Sequence, residues 1–506
     1  MSPSGAAVKL KNGQALSLAQ LPLLAYATFS EALLAAVAAE GRVAAYFALP
    51  AASPRLELYA LIARDWQSDL LLLRTTIGER FPSLTPRCPQ LQLFEREIAE
   101  QYGMIPEGHP WFKPVRFHAP WQGRDPWARP AGHPVCGVMD YYRVEGEEVH
   151  EVAVGPVHAG VIEPGHFRFQ CHGEEVLHLE ISLGYQHRGI EAALLGGPHP
   201  TTLARMETLA GDTSIGHASA YCACLEALAG VEISPRAAAL RGIALELERL
   251  AAHVGDLGAL AGDVGFLPTA SFCGRLRGDY LNLSAELCGS RFGRGLVRPG
   301  GVGFDLEQSL SERIRKRLRE ITRDTRGAIA LLFDSPSALA RMEGVGKVAV
   351  ADAEAMGLVG LAARACGLAR DVRLHHSWGA YVDSYDHCLI EETGDVYARA
   401  NLRRREINAS LDWLEETLKR LPAGAVLSEL PPLAPDSLAV ALVEGWRGEL
   451  VHIALTDGAG RFMRYKVVDP SFHNWGGLAM ALRNEQISDF PLCNKSFNLS
   501  YCGFDL

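Results

Sequence analysis

The feature that most constrains this fold is a long apolar stripe of helical period between Gly242 and Asp263. Its members recur every three or four residues, as on the buried face of an amphipathic helix. They are Ile243, Leu247, Leu250, Val254, Leu257 and Ala261. Two more helices are predicted over Ser311 to Arg326 and Tyr397 to Leu421, so this part of the chain is predicted to be a helical bundle.

A polar stripe of the same period runs beside the apolar one. It consists of Glu246, Arg249, His253 and Asp256. On an arbitrary helix such a stripe is more often a solvated face with charge pairs three or four residues apart than a buried functional row. From the residues alone, the solvated face is the favoured interpretation.

The N-terminal part has a different pattern. An alanine-rich helix is predicted from Glu31 to Glu40, followed by three strands, "RVAAYFAL", "LELYALIA" and "DLLLLRTTI", and a helix from Gln92 to Tyr102. A stretch rich in proline, glycine and tryptophan, centred on "HAPWQGRDPWARPAGHP", excludes regular structure and predicts a linker. After it come short strands and then the helices, and the last 60 residues return to strands and an apolar tail.

These patterns predict the fold class α+β, with three segments along the chain. Residues 1–118 form a small N-terminal α/β domain, residues 119–148 a Pro/Gly-rich linker, and residues 149–506 a large, mainly α-helical bundle domain with flanking β-strands.

Composition excludes several function classes. A net charge of −10 argues against a nucleic-acid binder, which would concentrate basic charge on one face. The most apolar N-terminal stretch is interrupted by Glu31, Glu40 and Arg42, so no transmembrane segment is predicted, and no signal peptide is recognised. The chain is expected in the cytosol or on the cytosolic side of a membrane.

The cysteines give a further constraint. There are 11 of them, an odd number without an export signal, which indicates reduced thiols. None forms a C-x-x-C pair, the spacing by which zinc and iron–sulfur sites usually bring two thiolates to one ion.

Several segments, taken in order, resemble a known family. "FEREIAEQYGMIPEGHP" is similar to the signature of the 30-kDa-type subunit of respiratory complex I. "GPVHAGVIEPGHFRFQ", "EISLGYQHRGIE", "ELERLAAHVGDLGALAGDVGF", "GDVYARANLRRREI" and "ISDFPLCNKSFNLSYCGFDL" follow the order of the 49-kDa-type subunit. The fused arrangement most resembles the large subunit of group 4 membrane-bound nickel–iron (NiFe) hydrogenases, such as formate hydrogenlyase.

The resemblance implies a metal site held by four thiolates from two C-x-x-C pairs, since soft sulfur ligands bind nickel and iron. The first pair matches Ala210 and Thr213, and the second matches Ser500 and Gly503. All four positions lack a thiol, Cys502 is one residue off, and Cys222 and Cys224 lie about three turns beyond the first pair. We therefore expect neither a bound metal nor an active NiFe hydrogenase. A hydrogenase with oxygen ligands on nickel is a minor alternative.

The family also reduces quinones, using a histidine and a tyrosine that hydrogen-bond the head-group and exchange protons with it. His158 matches the histidine, whereas Gly211 stands near the tyrosine position and Tyr221 and Tyr185 are shifted. The candidate catalytic residues are His158, Asp212 and His217, in a cavity that also includes Ser500. The alternative is that His158 is a turn residue and that His217 satisfies a buried polar contact.

Other polar residues match family positions that carry protons. In the light of the resemblance, the buried and the solvated interpretations of the polar stripe become about equally favoured. The proton-transfer candidates are Glu163, Glu191, Glu246, His253, Asp256 and Asp263. His187 and Arg188 match a string near the small-subunit interface, and Arg399 and Arg403 to Arg405 are interpreted as a structural or docking cluster.

The resemblance implies a peripheral-arm subunit of an energy-converting oxidoreductase similar to complex I. No cofactor is expected on this chain; electrons would come from a 4Fe-4S cluster in a neighbouring subunit and pass to a quinone or another acceptor, coupled to ion translocation. The implied partners are a small 4Fe-4S subunit of the complex I 20-kDa type, a ferredoxin-like 4Fe-4S subunit, and membrane-arm subunits including antiporter-like proteins. The implied location is the cytoplasmic face of the inner membrane. The alternative is a non-catalytic structural adaptor with an empty cavity.

Overall fold

The computed structural model of the chain describes residues 7–51, 55–129, 135–158, 162–382 and 384–506. Part of the predicted linker, residues 130–134, lies outside the described residues. So do residues 52–54 of the predicted turn between the first two strands, and residues 159–161 of the "GPVHAGVIEPGHF" segment.

The N-terminal part combines a sheet with two helices. In chain order its elements are β1 (Val8–Leu10), β2 (Ala15–Ser17), β3 (Leu23–Leu24), α1 (Tyr26–Ala38), β4 (Arg42–Pro50), β5 (Leu56–Arg64), β6 (Asp69–Ile77), β7 (Arg80–Pro82), α2 (Gln92–Tyr102) and β8 (Ile105–Glu107). The main sheet has the order β1-β6-β5-β4, with β3 parallel to β6, and β7 pairs with β8. The three predicted strands are β4, β5 and β6, and β4 forms one edge of the sheet.

The middle of the chain opens with a three-stranded sheet and continues as helices. Its elements are β9 (Val149–Val154), β10 (His166–His172), β11 (Glu175–Ser182), α3 (Ile190–Ala193), α4 (Thr202–Met206), α5 (Ser214–Ala229), α6 (Pro235–Asp263), α7 (Leu267–Cys288), β12 (Val297–Arg298), β13 (Gly301–Val302) and α8 (Gln308–Phe333). The sheet has the order β11-β10-β9. Helices α5 to α8 form the predicted bundle together with one more long helix from the C-terminal part of the chain.

The C-terminal part adds that long helix, a second sheet and a helical end. Its elements are α9 (Pro336–Leu339), α10 (Val350–Ala355), α11 (Gly360–Arg364), α12 (Val372–His375), α13 (Val396–Lys419), β14 (Ser437–Glu444), β15 (Glu449–Thr456), β16 (Phe462–Val468), α14 (Pro470–Ala481), α15 (Phe490–Phe497) and α16 (Tyr501–Phe504). The sheet has the order β16-β15-β14-β2. Because β2 comes from the start of the chain, the first and last parts of the sequence share one sheet. The domain bounds predicted from the sequence stay a prediction.

The predicted α+β class is confirmed, and several predicted boundaries are wrong. Helix α6 begins at Pro235 instead of Gly242, because Ser234 caps its first turn and its hydroxyl accepts a hydrogen bond from the Ala237 N–H at 3.0 Å. Helix α1 begins at Tyr26 and α8 extends to Phe333, beyond the predicted limits. The predicted apolar tail folds into α14, α15 and α16.

Close backbone contact joins the end of the bundle to the C-terminal sheet. Gly360 has φ +60°, and a Cβ atom there would lie 2.1 Å from the Cα atom of Gly448 in the turn between β14 and β15. Only glycine suits this backbone conformation and this approach. The β14–β15 turn, which carries Trp446 and Arg447, is therefore held tightly against α11.

In the described part of the chain, no helix is long and apolar enough to cross a membrane.

Candidate functional site

Three separate segments converge where the sequence places its catalytic candidates. The first is the loop between β9 and β10, which carries His158 and Glu163; the second is the turn before α5; and the third is the C-terminal end. The backbone N–H of Tyr501 donates to Glu163 Oε2 at 3.4 Å, which joins the first segment to the third. The indole N–H of Trp446 donates to the carbonyl oxygen of Asp212 at 3.0 Å, which fastens the turn.

His217 lies on α5 at one step of a buried chain of hydrogen bonds. Its Nε2 atom is 3.2 Å from Asp469 Oδ2, and its Nδ1 atom is 3.0 Å from Nε2 of His452. The Nδ1 atom of His452 is 2.9 Å from the hydroxyl oxygen of Tyr465. All four side chains are buried. We call Asp469, His217, His452 and Tyr465 the buried relay.

The hydrogen bonds of the buried relay favour one arrangement of protons. If the Tyr465 hydroxyl donates to His452, then His452 donates from Nε2 to His217, and His217 donates from Nε2 to Asp469. Each imidazole then uses one donor and one acceptor, as the neutral form requires. Moving each proton one step would give a proton to Asp469 and leave Tyr465 as a phenolate, which burial disfavours because it raises the pKa of Tyr465. The relay is therefore a hydrogen-bonded path along which a proton can pass to Asp469 when another donor returns a proton to Tyr465.

The charges along the buried relay differ from end to end. Burial would raise the pKa of Asp469, but the hydrogen bond from His217 and the nearby Arg447 guanidinium outweigh it and lower that pKa. Burial, with His217 beside it, holds the pKa of His452 well below its usual range. The relay therefore has a carboxylate at one end and a neutral imidazole in its middle.

Asp469 also borders the positions that the resemblance assigns to metal ligands. A Cβ atom at Gly503 would lie 2.7 Å from the carboxyl carbon of Asp469. The backbone N–H of Ser500 donates to the Ser471 hydroxyl at 2.9 Å, within the first turn of the helix that Asp469 caps. The carboxylate end of the buried relay thus faces the C-terminal candidate positions.

The four assigned ligand positions do not fit a nickel–iron centre. Thr213 donates its hydroxyl to Asp212 at 3.2 Å, and Ser500 accepts from the Gly503 N–H at 2.9 Å through its own hydroxyl. Ala210 offers only a buried methyl group, and Gly503 offers no side chain. None of the four supplies a thiolate. In the described residues, no group of three or more His, Cys, Asp or Glu side chains is arranged to hold a metal ion.

The nearby cysteines do not replace the missing ligands. Burial raises the pKa of the Cys502 thiol to about 11 and that of the Cys224 thiol to about 12. Burial raises the pKa of Cys222 as well. With no metal bound, these thiols are protonated near neutral pH. Among the described residues, none of them joins a group of three or more His, Cys, Asp or Glu side chains that could hold a metal ion.

Arg447 holds the turn before α5 in position. Its guanidinium makes two hydrogen bonds with the Asp212 carboxylate, at 2.6 and 2.8 Å, and one with the Thr213 hydroxyl at 3.3 Å. Burial would raise the pKa of Asp212, but Arg447 outweighs it and lowers that pKa. Both oxygens of Asp212 are thus bound by a guanidinium, which does not give up a proton, and Asp212 therefore has a positioning role. Arg188 fastens the same turn by donating to the carbonyl oxygens of Thr208 and Leu209, at 2.9 and 3.0 Å.

The polar stripe on α6 is buried, so its interpretation as a solvated face is wrong. The residues are at most 5% exposed, because α13 and the β14–β15 turn cover them. His253 Nε2 lies 2.7 Å from Glu406 Oε2, and Glu246 accepts a hydrogen bond from the Tyr381 hydroxyl at 2.5 Å. The helical period of the stripe was predicted correctly, whereas its burial depends on the segments that pack against it.

A polar path connects this buried row to the site. Asp256 accepts from Arg403 Nε at 2.8 Å and from the side-chain amide of Asn498 at 2.6 Å. The carbonyl oxygen of Asn498 accepts from Nε of Arg447 at 2.5 Å, and Arg447 in turn binds Asp212. Arg399 is buried with Arg403, so both belong to the structural core of the predicted arginine cluster.

Two of the proton-transfer candidates lie outside this assembly. Glu191 is buried against the C-terminal sheet, 2.9 Å from Arg464 and 3.1 Å from Lys466, and Lys466 also binds Glu97 of α2 at 2.7 Å. Burial opposes the charge of Glu191, but these cations lower its pKa overall. Asp263 is exposed at the end of α6 and makes no ion pair with any described residue.

Sequence reasoning missed the partners that make the site. His452, Tyr465 and Asp469 stand in segments that were predicted only as short strands of the last 60 residues, and Glu406 was not singled out. One local signal was available, since Asp469 followed by Pro470 is typical of the first turn of a helix. The distance of 235 residues between His217 and His452 left no local signal for their contact.

A buried carboxyl group at the C-terminal end predicts that the free energy of unfolding depends on pH. Asp505 is buried and accepts from the N–H groups of Gly184 and Gln186, at 2.8 and 2.9 Å. Burial, the largest effect, raises its pKa to about 6. Stability from the neutral acid is therefore fully present below the unfolded pKa of about 4 and is lost as the pH rises through 6.

Asp505→Asn is expected to remove this dependence, because the amide stays neutral. Relative to the original chain, the variant should gain roughly 3 kcal/mol in free energy of unfolding between pH 4 and pH 7. Urea denaturation at both pH values measures the difference. Asp334→Asn, at an exposed position after α8, is the matched control and should show no such trend. A gain independent of pH would contradict the raised pKa.

Comparisons with known proteins extend over most of the chain. Residues 263–437 and 431–505 match the family described as the 49 Kd subunit of respiratory-chain NADH dehydrogenase. Residues 32–134 match the family described as the 30 Kd subunit of the same enzyme. The order of the two matches is that of the fused arrangement inferred from the sequence segments.

Individual relatives match over more than two thirds of the chain. Formate hydrogenlyase subunit 5 of Escherichia coli (strain K12) is 28% identical over 434 residues, covering 83% of this chain and 76% of the relative. NADH-quinone oxidoreductase subunit 4 of Thermus thermophilus is 31% identical over 375 residues, covering 68% of this chain and 90% of the relative.

Among solved structures, the fold is similar to a chain of the membrane-bound sulfane sulfur reductase, an archaeal respiratory membrane complex. The TM-score is 0.67 with 23% sequence identity, covering 72% of this chain and 100% of that one. At this identity the likeness supports the fold alone. Together with the sequence matches, it confirms the predicted resemblance to fused 30-kDa-type and 49-kDa-type subunits.

Proposed function

This chain belongs to the superfamily of complex I 30-kDa and 49-kDa subunits and group 4 membrane-bound hydrogenase subunits, and from that premise we propose that it serves a membrane oxidoreductase without a nickel–iron site. In this proposal it is a peripheral subunit on the cytoplasmic face of the inner membrane. Its partners are a small 4Fe-4S subunit of the 20-kDa type, a ferredoxin-like 4Fe-4S subunit and membrane-arm subunits including antiporter-like proteins.

The observation that carries the proposal is the end of the buried relay. Asp469, whose Oδ2 atom is 3.2 Å from His217, borders Gly503 and the loop of Ser500, where the assigned ligand positions supply no thiolate. A site that keeps a proton pathway but lacks soft metal ligands suits an organic acceptor better than hydrogen chemistry.

The chemistry follows from what such an acceptor needs. A quinone takes up two electrons and two protons to become a quinol, so electrons from a neighbouring 4Fe-4S cluster must be matched by protons. His217 and Asp469 would deliver protons along the buried relay, and His158 would hydrogen-bond the acceptor from the β9–β10 loop. The Nε2 atom of His158 is buried and has no hydrogen-bond partner among the described residues, which leaves it available for such a contact.

A second candidate function, the structural adaptor, is favoured by a different observation. The hydroxyl groups of Thr213 and Ser500 already have protein partners, and Asp469 occupies the space beside Gly503. A site whose hydrogen-bonding groups already have partners within the protein needs no ligand. In this alternative the chain holds electron-transfer subunits on the membrane arm and takes no part in the reaction.

The test uses the complex purified with all its subunits. We expect nickel far below one atom per chain by elemental analysis, and no hydrogen-dependent dye reduction. His158→Phe and His217→Phe should each abolish most electron transfer to a quinone analogue, while the exposed control His387→Gln should not. Stoichiometric nickel would end the proposal, and unchanged electron transfer in an assembled complex would support the adaptor.

A further inference from the structure

A large cavity lies apart from the site described above. Its volume is about 590 Å³, and its walls come from α2, the segment after β8, β11 and α14. Most of the lining is apolar, including Leu93, Trp111, Val115, Leu179 and Trp475. Volume and lining fall in the range of cavities that bind small molecules. His158, Asp212 and His217 are not among its lining residues, so it does not belong to the relay site.

One wall of the cavity carries a buried cation without a counter-ion. Arg96 of α2 is only 8% exposed, and its guanidinium donates to the carbonyl oxygens of Lys113 and Pro114, each at 2.7 Å. Among the described residues no carboxylate forms an ion pair with it within 4.0 Å, and Glu100 and Glu180 act on its charge from farther away. Burial lowers the pKa of Arg96 to about 10, which still leaves the group charged at neutral pH. An unpaired buried charge is costly, so an anion from outside would be stabilised here.

The other polar groups of the cavity add to this positive character. Lys113 and Glu180 neutralise each other at 2.6 Å. Arg483, at the exposed edge of the cavity, makes no ion pair with a described residue. His178 lines the cavity with an Nε2 atom that lacks a hydrogen-bond partner among the described residues. The net charge at this apolar cavity is therefore positive.

We propose that this cavity binds an amphipathic organic anion, whose apolar chain lies between Trp111 and Trp475 and whose anionic head-group pairs with Arg96 and Arg483. The apolar walls remove the chain from water, and the two cations select the charge of the head-group. Because the cavity is separate from the buried relay, this proposal does not depend on the proposed function.

The test is titration calorimetry of the full-length chain with dodecanoate, an anion with an apolar chain. Dodecanoate should bind with one-to-one stoichiometry, whereas dodecyltrimethylammonium, a cation with the same chain, should bind at least about tenfold more weakly. Arg96→Gln should weaken dodecanoate binding by about 10-fold to 100-fold, the effect of losing a hydrogen bond to a charged group. Arg483→Gln should weaken it several-fold.

Two further variants keep the test decisive. Ala479→Phe places a ring in the cavity from α14 and should abolish binding, and it answers the question even if Arg96→Gln does not fold. Arg319→Gln, an exposed arginine of α8, should leave the affinity unchanged. Equal affinity for the anion and the cation, or full binding by Ala479→Phe, would overturn the proposal. So would the absence of binding by the folded chain, which would favour a polypeptide segment as the occupant.

Discussion

Replacing Glu406 by alanine is expected to destabilise the folded chain by about 3–5 kcal/mol, because a buried ion pair loses one partner and leaves uncompensated cations. Glu406 is fully buried on α13. Its carboxylate binds Arg364, lies 3.3 Å from Arg373 and 3.8 Å from Arg249, and accepts from His253 at 2.7 Å. Burial opposes its charge, but the surrounding arginines hold its pKa well below the usual range.

The measurement is urea denaturation followed by circular dichroism. Glu415→Ala is the matched control on the same helix, since Glu415 pairs at 3.2 Å with Arg315 and with Arg319 near the surface. An exposed pair contributes at most about 1 kcal/mol, so this control should change the free energy of unfolding little. Equal losses in the two variants would contradict a central electrostatic role for Glu406.

Replacing Asp469 by asparagine is expected to lower the turnover of the assembled complex by roughly 10²–10⁴-fold, the usual contribution of a positioned proton-transfer group. In the original chain the Ser471 N–H donates to Asp469 Oδ1 at 2.8 Å. The side-chain oxygen of asparagine can accept the same hydrogen bond, so the variant preserves the helix cap. It cannot take up the proton that His217 passes on. The variant therefore separates the structural contribution of Asp469 from its chemical one.

The readouts are quinone-analogue reduction and the melting temperature. Asp395→Asn is the matched control: Asp395 is also a buried cap, accepting from the Ala398 N–H at 2.8 Å at the start of α13. We expect this control to retain turnover. In Asp469→Asn an amide N–H replaces Oδ2 beside His217 Nε2, so His217 and His452 must switch tautomer to keep their hydrogen bonds, and the melting temperature measures the cost of that switch. Normal turnover in Asp469→Asn would argue against the buried relay and in favour of the structural adaptor.

Local patterns predicted the centres of the elements well. Helix α2 and strand β6 have the predicted bounds, because a sharp change in period and turn residues marks both ends. The start of α6 was missed although Leu240, Ala239 and Ala237 continue the buried stripe toward the cap residue Ser234. Periodicity locates the buried face of a helix, and the caps locate its ends.

The candidate site was predicted in part. His217, Ser500 and Gly503 do lie around one carboxylate, that of Asp469, which sequence reasoning did not identify. The position of Glu191 was misleading, since its contacts lie with Arg464 and Lys466 away from the buried relay. Polar residues that match a family pattern can belong to different clusters of the folded chain, and only their neighbours distinguish them.

The fold class, the family and the absence of thiols at the assigned ligand positions depend on residue types and their order, so the amino-acid sequence was enough to establish them. Tertiary packing decided that the polar stripe of α6 is buried and that His217 meets His452 and Asp469. The difference arises because burial and hydrogen bonding are properties of surfaces in contact. Those surfaces come from segments far apart in the sequence, as the separations of 153 residues between His253 and Glu406 and of 235 residues between His217 and His452 illustrate.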